Sequence, residues 1–139
     1  MKFNKKKITS IAEKYKLQLI ILFGSQARNE STLRSDVDIA VVAEDGESAK
    51  EAKNFLSLVS DLQTSFMEQG NDIDLLLLNS ASAFLKYQVA MEGIALYEQS
   101  EDLFLEFAIR AMKEYEDVRH FDKYYQEIVQ DFLKEHHDK

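Results

Sequence analysis

At 139 residues, 45% hydrophobic and 30% charged, the chain has the make-up of one globular domain with a core of its own. It has no cysteine, which excludes disulfides and thiolate metal sites, and no apolar run nears the roughly 20 residues of a membrane span. A net charge of −8 argues against a general nucleic-acid binder, which needs a basic footprint. The charge is uneven: residues 1–16 hold six lysines and one glutamate, so the remainder carries −13. Lys2, Lys5, Lys6 and Lys7 read as the solvated face of a first helix. The basic start lacks an apolar stretch and a small-residue cleavage site, so it does not read as a signal peptide, and the cytoplasm is the expected location.

In chain order, Phe3, Ile8, Ile11, Ala12 and Tyr15 form a helical stripe. Leu17–Phe23 predicts a strand ended by Gly24, and Val37–Ala43 predicts a second. "EDGES" reads as a turn. Phe55, Leu58, Val59, Leu62 and Phe66 follow the spacing of an amphipathic helix, with Gly70 placed to cap it. "DIDLLLLN" predicts a third strand. Residues 80–92 predict a helix with Ser80 or Ser82 as N-cap and Gly93 closing it, and "IALYE" predicts a short fourth strand. From Asp102 three-four spacing runs almost to the end without a breaker. One helix of about 30 residues would be roughly 45 Å long, so it bends, breaks or projects. The expectation is an α/β (α+β) fold with a small mixed sheet and flanking helices. It is a single domain over 1–139, with a core of about 8–98 and a C-terminal helical segment of about 101–136.

The chemistry concentrates in "GSQARNESTLRSDVDIAVV", residues 24–42. Side chains alternate along a strand, so Asp36 and Asp38 share a face at the mouth of the second strand. Two anions so close are unfavourable unless a cation joins them, and hard oxygen ligands suit Mg²⁺ beside substrate phosphates. "NDIDLLLLN" repeats the device with Asp72 and Asp74. If the two strands are neighbours, Asp36, Asp38 and Asp74 lie close enough to hold two metals in the manner of nucleotidyl transfer. Gly24 permits a tight turn and close approach to a ligand, and Ser25 offers a hydroxyl and an N–H. Arg28, Arg34 and Ser35 lie in or beside the loop and are candidates for the nucleotide phosphates. Singly, a Gly-Ser turn or an Asp-x-Asp strand start is most often ordinary punctuation. Their conjunction with a later strand opening on Asp has few ordinary explanations.

The Gly-Ser-x10-Asp-x-Asp pattern, "IDLLLLNSAS" and "EGIALYE" resemble the DNA polymerase β-like nucleotidyltransferase superfamily. More narrowly, the chain resembles its minimal MntA-type antitoxins, partners of HEPN-domain RNase toxins (HepT). The likeness covers most of residues 8–125. It implies a polymerase β-like fold. It also implies Asp36, Asp38 and Asp74 as catalytic metal ligands holding two Mg²⁺ with ATP, and Gly24 and Ser25 as contacts to the nucleotide phosphates; Arg28 and Ser35 are further candidate nucleotide-binding residues that the resemblance does not assign. Asp72 competes with Asp74 for the third carboxylate. The resemblance further implies AMP transfer from ATP to a tyrosine hydroxyl of a HEPN toxin, within a hetero-oligomeric complex, and without membrane or direct nucleic-acid contact. The alternatives are a small-molecule nucleotidyltransferase of the antibiotic-modifying type and an antitoxin that masks its toxin without catalysis. Only about 40 residues follow "IALYE", short for the acceptor domain of the former. The C-terminal stripe packs on the chain's own sheet or serves a partner.

Overall fold

Branched and aliphatic side chains fill Leu17–Phe23 (β1) and Val37–Ala43 (β2), and both segments are buried along most of their length. Ile73–Leu77 (β3) and Ile94–Glu98 (β4) complete a four-stranded sheet in the order β3-β2-β1-β4. β1 runs antiparallel to β2 and β4, and β2 runs parallel to β3, so the sheet is mixed as expected. This computed structural model describes residues 3–27, 36–66 and 72–137.

Helices cover both faces of the sheet. On one, Ile8 and Ile11 of Lys5–Lys14 (α1) and Leu58 and Leu62 of Ala52–Ser65 (α4) meet Ile20, Leu22, Val37, Ile39 and Val41. On the other, Val89 and Ala90 of Ala83–Glu92 (α5) and Phe107, Ala108 and Ala111 of Leu103–His137 (α6) meet Leu19, Ile21 and Ala40. Gly24–Ala27 (α2) and Gly46–Lys50 (α3) are short. Leu62 is 0% exposed between α4 and the sheet. Leu62→Ala should therefore lower unfolding stability by about 2–5 kcal/mol in urea titration, the usual range for an emptied leucine site.

Several local expectations are revised. "EDGES" is not a bare turn. Asp45 caps α3, its side chain accepting from the N–H groups of Glu47 and Ser48. Phe66 lies past the end of α4, in extended backbone bridged to Phe3, with the two rings 6.3 Å apart. Buried Ser65, whose hydroxyl donates to the Leu62 carbonyl at 2.6 Å, closes that helix instead. Of the two candidate N-caps for α5, Ser82 is the cap, accepting from the Leu85 N–H. Gly70 lies outside the described residues.

Gly93 closes α5 without a left-handed backbone. A Cβ there would come within 2.6 Å of Ile21 Cγ2, so the reason for glycine is close packing. After β4, α6 is one unbroken helix of 35 residues, about 52 Å long, and its distal half projects beyond the sheet. No helix among the described residues is long and apolar enough to cross a membrane.

Candidate functional site

Alternation along β2 sends Val37, Ile39 and Val41 to the α1/α4 side and leaves Asp38 on the α5/α6 side, ahead of Ala40. The same alternation in β3 puts Asp74 on that side, ahead of Leu76. The parallel register pairs Asp38 directly with Asp74, and the antiparallel register pairs Phe23 with Asp38. Adjacent strands lie about 4.8 Å apart, so the two carboxylates stand side by side at the entry ends of β2 and β3.

Gly24 follows Phe23 and therefore sits next to Asp38. Its φ of +73° is left-handed, and a Cβ there would drive into the Asp38 carboxylate, 3.0 Å from its Cγ and 3.2 Å from its Cβ. Glycine is required twice over, for the turn and for the space in which the carboxylate rests.

A cleft of about 430 Å³ opens over this pair, within the range of small-molecule sites. Phe23, Gly24, Asp38, Asp74, Leu75 and Leu76 form its floor, and Leu85 and Gln88 of α5 form a wall. The α5 residues were not singled out from sequence. Their i, i+3 spacing marks one helical face, but nothing in the sequence shows which face turns toward the aspartates.

The other candidates are placed less centrally. Asp36 is exposed one residue ahead of β2, and Asp72 is exposed one residue ahead of β3. The Asp72 carbonyl accepts from the Val37 N–H at 2.8 Å, which locks the two strand entries together. Asp74 lines the cleft and Asp72 does not. Ser25 lies in α2, its side chain outside the description, and Arg28, Arg34 and Ser35 lie outside the described residues.

The charged groups at the cleft are the two carboxylates, with the Gln88 amide as the other polar side chain and no sulfur or imidazole among the described residues, which is the chemistry of Mg²⁺ rather than of a soft metal. The Asp74 carboxylate makes no hydrogen bond or ion pair with any described residue. Among the described residues no three His, Cys, Asp or Glu side chains gather tightly enough to cage an ion by themselves. Two neighbouring carboxylates fit Mg²⁺ carried in with nucleotide phosphates, which supply the missing oxygens.

A family model described as polymerase beta, nucleotidyltransferase matches residues 6–102. The chain belongs to that nucleotidyltransferase family. Within the family it is 34% identical over 119 residues to the protein adenylyltransferase MntA of Shewanella oneidensis, covering 85% of this chain and 78% of the relative. The nucleotidyltransferase fold is shared with a chain in a crystal structure of the toxin-antitoxin with AMP-PNP. The TM-score is 0.69 and the identity 31%, over 94% of this chain and 98% of that one. A chain from the tri-AMPylated Shewanella oneidensis HEPN toxin in complex with MNT antitoxin matches with TM-score 0.61 and 32% identity, over 94% and 96%. The resemblance read from Gly24-Ser25 through Asp38 is borne out at the level of family and fold.

Proposed function

We propose that this nucleotidyltransferase moves AMP from ATP onto a tyrosine hydroxyl of a cognate HEPN RNase toxin, in the cytoplasm, and thereby neutralises it. The observation that carries the reading is the register pair Asp38–Asp74 beside the bare Cα of Gly24, in a cleft of about 430 Å³. The likeness to proteins described as adenylyltransferases and as antitoxin in complex with an AMPylated toxin supports the choice of donor and acceptor.

The acceptor oxygen attacks the α-phosphorus, a P–O bond forms, the α–β anhydride breaks and pyrophosphate leaves. The hydroxyl proton passes to the Asp74 carboxylate or through it to water. Asp36 and Asp38 hold the triphosphate end of the site, and Asp74 stands nearest the acceptor. Gly24, Ser25, Arg28 and Ser35 are assigned to the nucleotide phosphates. Two Mg²⁺ ions, when bound by Asp36, Asp38 and Asp74, would neutralise the charge that builds on the phosphates and lower the pKa of the attacking hydroxyl. Leu85 and Gln88 narrow the cleft and help keep competing water from the α-phosphorus.

The test is the intact mass of the protein encoded beside this chain, taken as the candidate HEPN-family toxin, before and after incubation with the chain, ATP and Mg²⁺. A gain of whole AMP units, lost with EDTA and restored by Mg²⁺, is expected. A stable complex with no mass gain would refute transfer and leave a masking antitoxin.

A further inference from the structure

The proximal part of α6 buries Phe107, Ala108 and Ala111 against the sheet, while Leu105, Ile109 and Met112 stay exposed. Beyond Glu116 no described residue from outside α6 covers the helix. From Asp117 to His136 every described side chain is exposed except Val129, which is half-buried. The apolar pattern does not stop there. Val118, Phe121, Tyr125, Ile128 and Phe132 alternate three and four residues apart, the spacing of a helix–helix seam. They continue the seven-residue phase of Phe104 and Ala111. Phe121 is 67% exposed and Phe132 57%. Aromatic residues in such numbers on one solvated stripe mark an interaction site.

The flanks say what covers it. Asp117, Asp122 and Asp131 stand beside the seam, and none makes an ion pair with a described residue. Of the cations near the seam, Arg119 is held by Glu116 at 2.7 Å, while Lys123 and Lys134 lie off the flanking positions, at f and c of the seven-residue phase. A second copy packed in parallel would set Asp117 against Asp122, and an antiparallel copy would set Asp117 against Asp131. Such like-charge pairs at flanking positions select against self-pairing.

We infer that the distal half of α6 docks an amphipathic helix of the partner protein, whose apolar seam is flanked by lysine or arginine. The inference rests on the toxin reading above for the partner's identity. The seam also leads to the cleft. Tyr115 of α6 stacks on Tyr87 of α5 with centroids 4.2 Å apart, and Leu85 and Gln88 of the same helix wall the cleft. A partner held on α6 is thus tethered to the helix pair that walls the cleft, which raises its effective concentration at the transfer site.

The test compares wild type, Phe121→Asp/Ile128→Asp, and Asp117→Lys/Asp122→Lys/Asp131→Lys for affinity to the neighbouring HEPN-family protein and for AMP transfer. All five positions are exposed, so the fold should hold. The aromatic-stripe variant should lose about 100-fold in affinity. The lysine variant should lose about 10-fold and bind more tightly, not less, as salt rises. In transfer assays the stripe variant should raise the KM for the protein acceptor and leave that for ATP unchanged. Wild-type affinity in both variants would overturn the inference. So would self-association of the wild type that Phe121→Asp/Ile128→Asp abolishes, because the occupant would then be a second copy. Stripe-dependent binding without AMP transfer would refute the transferase and leave the docking standing. Transfer indifferent to the stripe would do the reverse.

Discussion

Asp38→Asn should reduce AMP transfer by about 10³-fold or more, equivalent to roughly 4 kcal/mol of transition-state stabilisation, with the fold intact. The substitution keeps the shape of a half-buried side chain at the sheet mouth and removes the charge that faces the cleft. Thermal melting should move little, because the core beneath, Ile39 and Val41, is untouched. Asp74→Asn should behave the same way, being its register partner in the same cleft. Asp72→Asn is the discriminating control. Its carboxylate does not line the cleft, and its contribution to the strand entry is the backbone carbonyl, so transfer should stay within about 3-fold of wild type. Intact-mass kinetics on the protein acceptor measure all three. Near-normal transfer by Asp38→Asn, or a collapse with Asp72→Asn, would reassign the carboxylates.

Gly24→Ala should be almost as damaging by a different route. A left-handed φ of +73° costs a residue with a Cβ about 1–2 kcal/mol. The new methyl would also occupy the place of the Asp38 carboxylate and push it from its position beside Asp74. Transfer should fall by more than about 100-fold, since small misplacements of a reacting group cost that much. The two costs separate in a double-mutant cycle. In an Asp38→Ala background the clash with the carboxylate is gone and only the 3.2 Å contact with the residue 38 Cβ remains, so Gly24→Ala should destabilise by less than it does alone. Additive losses in stability would mean that backbone strain is the whole effect.

Much of this was legible residue by residue. β1 and β2 form over Leu17–Phe23 and Val37–Ala43, where apolar runs between polar punctuation leave no competing pattern. The end of α4 was misplaced because Phe66 keeps the helical spacing while its ring belongs to a bridge with Phe3, a contact across more than sixty residues of sequence. The short helix at Gly46–Lys50 escaped notice because Gly in "EDGES" signals a turn, and the capping carboxylate of Asp45 outweighed it.

The site divides along the same line. The Gly-Ser-x10-Asp-x-Asp pattern is a local sequence property, and it sufficed for the family and the reaction class while marking Asp36 and Asp38 as candidates. Which strands are neighbours is a property of the folded sheet. Only the parallel β2–β3 pairing, with Asp38 opposite Asp74, put the later aspartate beside the earlier one and left Asp72 outside the cleft. The wall of Leu85 and Gln88 likewise exists only once α5 has packed its Val89 face on the sheet. For α6, sequence established a continuous apolar stripe and no more. The sheet is four strands wide and offers burial as far as Ala111, so the tertiary structure decided where that stripe stops being core and becomes surface.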